Sequence, residues 1–485
     1  MKKLFLILWL LFLVVSTYSA EWQVVGPRAL GMGGAYVAVV NDSTAAYWNP
    51  AAFGFFKTKD VKKYEEKNFG LGIGVGLGYS IHNNLGEKID DILNYDYDAV
   101  AGDIDGGKIT TANLYDYVKI VNNLAKISDK DAVVFKANGH VASRIGHFGL
   151  GVYALGNIAA IPLLDLKNIS VDSGDTNIIN SLSNIGAVDS NLDVLTQTQY
   201  NQLVNKISSF TGWSNTDAQN FVYFIDESLK SKNVPLDDET FNAVLNTAEL
   251  ASNAVTGGSF DNNTSQIKFS GLVYFEVPVS YGYAPNKNFS LGANLKFMKG
   301  RYYESYVSLY DKNNDNDLFD KARDDYKESN TIGVDVGSMY KLGSMVTLGV
   351  VGRNLNAPKF GKPSGGDYKL DPQARAGVAF TPFNWLTLAA DIDLTKNDTN
   401  IRNYKSQNVA FGAELELLKF LALRGGYYKN LAESDIDSVY TAGLGINLYL
   451  FRIDAGVALS DKKSKIDGRN IPTEVKGELA LSIDF

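Results

Sequence analysis

Apolar and polar residues alternate strictly from Val475 to Phe485: Val475, Gly477, Leu479, Leu481, Ile483 and Phe485 fall on one face, Lys476, Glu478, Ala480, Ser482 and Asp484 on the other. Side chains of a β-strand alternate with period two, so such a run suits an apolar medium on one side and water on the other. The same alternation recurs at 386–395, 408–417, 440–448 and 451–460. Each run spans about 10 residues, the length with which a tilted strand crosses a bilayer. Residues 70–79 alternate too, but here every second residue is glycine, opposite Leu71, Ile73, Val75, Leu77 and Tyr79. Glycine weakens an ordinary strand, so this face predicts the close approach of another backbone, for which residues 21–56 are the candidate.

Extended to the whole chain, the pattern predicts fourteen strands, at 69–82, 132–145, 147–160, 265–284, 288–310, 328–342, 345–356, 371–382, 385–396, 406–418, 420–431, 437–449, 451–463 and 473–485. Short connections fall at Gly146, 285–287, 342–344, 382–384, Lys419 and 449–450, and long ones at 83–131, 161–264, 311–327, 357–370, 397–405, 432–436 and 464–472. An even strand number with short turns at one end and long loops at the other is the construction of single-chain outer-membrane barrels. A soluble sandwich has no reason to keep that order. The expected fold is an all-β membrane protein, a fourteen-stranded antiparallel barrel over 57–485 with inserts at 83–131 and 161–264.

The larger insert carries helical spacing instead. Gln199–Phe210, Asp217–Leu229 and Asp237–Val255 lack internal Pro and Gly, and Phe221, Phe224, Ile225 and Leu229 form one apolar stripe. That stripe is expected to pack the insert against its own helices or the barrel rim, with a ligand-capturing lid as the alternative. Leu114–Ile127 predicts a shorter helix.

The chain opens with Lys2 and Lys3, an apolar run from Leu4 to Val15, and a small polar exit through Ser19 and Ala20. This reads as a secretory signal peptide over 1–20, since the run is too short to anchor as a helix. There is no cysteine, so an exported chain needs another staple, and a closed sheet in lipid is one. A net charge of -8 argues against nucleic acid. The aromatic end at Phe485 resembles the signal by which barrel-assembly machinery recognises its substrates.

Two motifs precede the first strand. Residues 26–38 read Gly-Pro-Arg-Ala-Leu-Gly-Met-Gly-Gly-Ala-Tyr-Val-Ala, and residues 41–52 read Asn-Asp-Ser-Thr-Ala-Ala-Tyr-Trp-Asn-Pro-Ala-Ala. Here the sequence resembles the long-chain fatty acid transporter superfamily, most closely its conjugal-transfer TraF-like branch. The resemblance covers the mature chain. It implies a 14-stranded barrel with an amino-terminal hatch in its lumen and passage of hydrophobic molecules, with the cargo unspecified. On physical grounds Gly31, Gly33 and Gly34 permit a compact backbone in a crowded lumen. Asn49 before Pro50 forms a turn, with a latch or substrate contact as the alternative. Arg28, Gly31, Gly33, Gly34, Asn49 and Pro50 are the hatch candidates. They do not make a dinucleotide site, because no strand–helix–strand unit follows.

The inward faces of the later strands carry Asp391, Asp393, Glu414, Glu416, Arg424, Arg452 and Asp454. A three-residue turn at 418–420 places Glu414 opposite Arg424, and Arg28 is a partner for one carboxylate. Lumenal charge of this kind holds wall to hatch by pairing, or else sets selectivity. Asp311, Asn313, Asp315 and Asp317 resemble the alternate oxygens of a calcium loop, but the turn glycine and the bidentate Glu are missing, so a solvated acidic loop is the expectation. Enzymatic options are few. The only histidines are His82, His140 and His147, and His140 and Ser143 face opposite sides of a strand. No elbow, zinc spacing or phosphate loop occurs, and no cofactor is expected.

The chain is thus read as a passive outer-membrane channel for a hydrophobic ligand, surrounded by lipid and making no bonds. The rival reading is a membrane-anchored assembly protein that docks a partner on its 161–264 insert.

Overall fold

The computed structural model describes residues 21–56, 69–93, 110–168, 190–253, 263–308, 325–418, 420–448, 451–466 and 468–484. The leader 1–20, the acidic loop with Asp311, Asn313, Asp315 and Asp317, and Phe485 lie outside the described residues.

Alternation is realised as fourteen barrel strands: β1 Phe69–His82, β2 Ala132–Ile145, β3 Phe148–Leu163, β4 Gln266–Asn286, β5 Phe289–Ser308, β6 Tyr326–Leu342, β7 Val346–Arg353, β8 Gln373–Phe383, β9 Leu386–Asp393, β10 Asn408–Leu417, β11 Leu421–Asn430, β12 Ser438–Asn447, β13 Arg452–Ser460 and β14 Glu474–Asp484. Each pairs antiparallel with its neighbours in chain order, and β1 pairs with β14 to close the barrel. Closure leaves no unpaired edge, which is what a sheet in lipid requires. Leu71, Ile73, Val75 and Leu77 point outward and are exposed, whereas the glycines between them point inward. Aromatic rings gather outside the short-turn end: Phe148 lies 4.9 Å from Tyr281 and Phe383 stacks on Trp385 at 5.2 Å. Such girdles mark a membrane interface.

Three small hairpins decorate the long loops: Lys359–Gly361 with Asp367–Lys369, Asn397–Asp398 with Lys405–Ser406, and Lys463–Ile466 with Arg469–Pro472. Sequence alternation did not reveal them because their strands are two to four residues long.

The insert helices sit at the long-loop end. A short helix, α1 (Leu85–Leu93), joins the barrel to α2 (Thr111–Ala125), which packs with α3 (Gln197–Thr211), α4 (Asn215–Lys232) and α5 (Asp238–Asn253). Phe221, Phe224, Ile225 and Leu229 are buried among Leu114, Val118, Leu203 and Ile207. The apolar stripe therefore faces the insert's own core rather than the lumen. Asp226 fixes the loop before α3, its carboxylate accepting the backbone N–H groups of Asp193, Val194 and Leu195.

Asp165 clasps the base of the insert. Its carboxylate accepts the N–H and hydroxyl of Thr264 at 3.1 and 2.8 Å and the Asn168 amide at 2.7 Å. Partial burial pushes its pKa up, but these hydrogen bonds prevail and hold it down at about 2. A carboxyl depressed on folding stabilises the fold above its ordinary range and loses that effect only as pH falls through about 2. Asp165→Ala at neutral pH is expected to speed limited proteolysis within the insert about fivefold, the equivalent of about 1 kcal/mol after solvent screening. An unchanged cleavage rate would show that the clasp does not hold the insert.

Candidate functional site: the filled lumen

Residues 21–56 fill the barrel from end to end. Glu21 stands at the long-loop end, paired with Lys136 at 2.7 Å. At the other end the Phe53 carbonyl lies 3.0 Å from His147 Nδ1, in the turn between β2 and β3. Three short helical turns build the segment, Pro27–Gly31, Ala45–Trp48 and the 3-10 turn Pro50–Phe55. Proline opens the first and last, where its missing N–H costs no bond. The segment is packed like a core: Trp22, Tyr36, Tyr47, Trp48 and Phe53 are all buried, and the Trp48 indole N–H donates to the Val25 carbonyl at 2.9 Å. Asn49 is wholly buried and does the work of a turn, its Oδ1 accepting the Ala51 N–H at 3.1 Å. Its amide also donates to the Val37 carbonyl and, in the wall, to the Ser338 carbonyl at 3.3 Å.

Glycines of the wall make room for this segment. They include four facing cross-strand pairs, Gly292 with Gly337, Gly349 with Gly377, Gly412 with Gly426, and Gly443 with Gly456, and Gly282 stands on the other side of Gly292. A β-carbon on Gly292 would lie 2.2 Å from the Pro50 backbone, on Gly337 2.1 Å from Asn49 Oδ1, and on Gly412 2.4 Å from the Met32 carbonyl. The segment reciprocates. A β-carbon on Gly31 would lie 2.8 Å from Gly443 Cα, and Gly33, at φ +67°, would meet the Tyr427 carbonyl at 2.6 Å. Gly34 (φ +85°) turns back on Val24.

The glycine face of β1 behaves otherwise. Cβ positions on Gly74 and Gly76 meet wall side chains, namely His140 and Glu478 with Asn138, and on Gly78 the β14 backbone at Val475 together with Lys476; Gly72 alone of these meets the segment, at Ser43. Those glycines accommodate polar side chains from β2 and β14, so the expectation of backbone approach there by residues 21–56 is corrected. The approach occurs along β4–β8 and β10–β13.

Ion pairs tie segment to wall. Glu414 accepts Arg28 Nε and Nη2 at 2.8 and 2.6 Å and Arg424 Nε at 2.6 Å. Arg424 also donates to Asp454 at 2.8 Å, which Arg452 Nε reaches at 2.9 Å. Asp391 accepts the backbone N–H groups of Tyr36 and Val37 at 2.8 and 2.9 Å, and Arg375 bonds Asp393 at 2.6 Å. Glu416 is the exception among the inward carboxylates. It lies one pair from the short turn, is exposed there, and does not join the cluster.

A second cluster was not foreseen from the sequence. Lys296, with no exposed side-chain surface, pairs with Asp335 at 2.9 Å and Glu276 at 3.2 Å, and Arg353 bonds Glu276 at 2.8 Å. Arg353 covers the Tyr47 ring at 3.9 Å and Arg375 the Trp22 ring at 4.7 Å. The signal was available: Glu276, Lys296 and Asp335 each occupy an inward position of an alternating strand. Among the described residues no group of three His, Asp or Glu is placed to hold a metal.

Two small cavities lie at the long-loop end. A cavity of about 40 Å³ is lined by residues including Glu21, His82, Val134, Lys136, Ile436 and Val439, and one of about 10 Å³ lies against Trp22, Tyr47 and Arg353. The smaller holds about one water. Both lie under a strap, residues 394–407, that runs from β9 across the mouth. β2 and β9 stand seven strands apart in a ring of fourteen, so the strap spans the full diameter. Its Ile401 and Tyr404 pack on Ala132, Val134, Ala159 and Ile161 of β2 and β3, and Asn400 donates to the Asn157 carbonyl at 3.0 Å.

Solved structures of similar architecture include the Ralstonia pickettii toluene transporter TbuX, with 12% identity over 96% of this chain and 99% of that one, at a TM-score of 0.45. The Pseudomonas putida toluene transporter TodX has 9% identity over 96% and 99%, with a TM-score of 0.46. A Pseudomonas aeruginosa FadL homologue has 12% identity over 97% and 98%, with a TM-score of 0.41. No curated protein matches the chain significantly. The model of the family described as "F plasmid transfer operon, TraF, protein" matches residues 46–393, from the last turns of the lumenal segment through β9, and to that family the chain belongs.

Proposed function

We propose that the protein is an outer-membrane channel of a Gram-negative-type envelope that lets hydrophobic, fatty-acid-like molecules diffuse through a lumen in which residues 21–56 act as a hatch. The observation that carries this reading is the cavity above the hatch, where Val134, Ile401, Ile436 and Val439 offer an apolar wall directly over Glu21. A cavity of about 40 Å³ admits no acyl chain, so transport on this reading requires strap and hatch to shift. Arg28, Gly31, Gly33, Gly34, Asn49 and Pro50 are the hatch elements that such a movement breaks or preserves. Lipid surrounds the wall, and the aromatic end at Phe485 serves recognition by the barrel-assembly machinery.

Native mass spectrometry of the refolded protein in detergent tests the reading. The expected result is a bound acyl ligand, retained by the wild type and lost from an Arg28→Ala/Asn49→Ala variant. A ligand-free barrel that resists loading with added fatty acids would remove the transport reading. The second reading, an assembly protein of a conjugation-type envelope system, is favoured by family membership and by a helical insert that holds a complete core of its own.

A further inference from the structure

Ser80 and His82 stand two residues apart on β1, so both point into the lumen. Ser80 Oγ lies 2.8 Å from His82 Nε2, and His82 Nδ1 lies 2.9 Å from Asp435 Oδ2. Asp435 comes from the connection between β11 and β12, where it also accepts the Asn83 N–H at 3.3 Å and the Tyr404 hydroxyl. Burial pushes the Asp435 carboxyl up, but the bonds from His82 and Tyr404 prevail and hold it below the ordinary carboxylate range. Tyr404 is pushed the other way by burial and by that carboxylate, so it stays a donor. An ionised Asp435 keeps the proton on His82 Nδ1. Nε2 is then the acceptor, and the Ser80 hydroxyl donates to it. This is the order of donors that turns a serine into a nucleophile.

A latch pinning the 431–437 loop to the wall would account for His82, Asp435 and Tyr404, but it needs no hydroxyl on the remaining imidazole nitrogen. The surroundings also fit a reaction. Ser80 pairs across its two ladders with Val134 and Glu474, and both line the outer cavity together with His82. Ile401, Ile436 and Val439 supply an apolar wall there, beside the Lys136–Glu21 ion pair.

We propose that Ser80, His82 and Asp435 form a charge-relay nucleophile that takes the acyl group of a hydrophobic carboxylic ester at the mouth of the lumen. Ser80 Oγ adds to the ester carbonyl carbon while His82 Nε2 takes its proton. The bond to the alcohol oxygen breaks, and His82 returns the proton to that oxygen. Water, giving a proton to His82, then attacks the acyl-serine; the carboxylic acid leaves and Ser80 recovers its hydrogen. Ser80 is wholly buried under the strap, so the step requires the strap to lift. The inference does not rest on transport, and the two are read by different experiments.

The test is acylation-site labelling of the full-length, detergent-refolded protein with a long-chain alkyl fluorophosphonate, read by intact mass and peptide mapping. Folding of each variant is checked by the heat-dependent shift of the barrel on a gel. The expected adduct maps to Ser80, is absent from Ser80→Ala, and forms at least about 100-fold more slowly in His82→Gln. An Asn400→Ala/Ile401→Ser variant, which loosens the strap, is expected to label faster than the wild type. The proposal is overturned if neither folded wild type nor folded strap variant carries an adduct on Ser80, or if His82→Gln labels at the same rate.

Discussion

Glu414→Ala is expected to release the amino-terminal segment and convert a silent barrel into a conducting one. Glu414 is the only group bonded to both Arg28 of the segment and Arg424 of the wall among the described residues. Without it two guanidiniums lose their shared carboxylate, leaving Arg28 with Asp42 at 3.8 Å and Arg424 with Asp454 at 2.8 Å, and removing one member of a buried ion pair costs up to about 3–5 kcal/mol. Asp391, at the Tyr36 and Val37 N–H groups, and Thr441, between the Gly31 carbonyl and the Gly33 N–H, then hold the segment on that side without an ion pair. Planar-bilayer recording should show rare, brief openings for the wild type and long openings for Glu414→Ala. Glu414→Gln, which keeps the acceptor oxygen but not the charge, should fall between. A variant as silent as the wild type, with unchanged thermal unfolding, would mean that packing and not charge retains the segment.

The second large effect is steric. Gly292→Val should expel residues 49–55 while leaving the barrel closed, because the added carbon would lie 2.2 to 2.4 Å from backbone atoms of Pro50 and Ala51, which cannot rotate away. Overpacking a well-fitted site costs about 1–3 kcal/mol, and a clash with backbone lies at the upper end or beyond. Gly477→Val is the control, since nothing lies within 4 Å of a β-carbon there and the residue is exposed on the outer face, opposite Leu77. The measurement is protease cleavage between 40 and 60 in folded protein. Cleavage in Gly292→Val but not in Gly477→Val is the expected outcome; equal resistance would show that the wall yields instead.

Much of this architecture was legible because a barrel wall has one medium on each side. The boundaries of β1 and β2 follow from alternation alone, and the register of Glu414 against Arg424 follows from the length of one turn. Glu416 was misplaced because alternation gives a residue's face but not its depth, and its depth puts it in solvent. The glycine pairs escaped for a related reason. Gly349 and Gly377 lie 28 positions apart in the sequence and become a pair only through the register of β7 with β8. Ser80 and His82 could have been found, since two residues at i and i+2 on a strand share a face. Asp435 could not, because nothing in a five-residue loop says which wall it will lean on. The helical stripe of the insert was readable as a stripe, but its partners Leu114 and Leu203 are distant in sequence.

The glycine contacts also dictate an order of events. Nine strands, β4–β8 and β10–β13, meet residues 27–54 through positions with no room for a methyl group. A segment held that closely is more easily laid into an open sheet than threaded into a finished cylinder. The first and last strands, β1 and β14, meet each other outside that arc, and neither carries a glycine pair against the segment. The close fit favours an assembly that runs from the middle outward, with the amino-terminal segment laid into an open, curving trough and the seam zipped last.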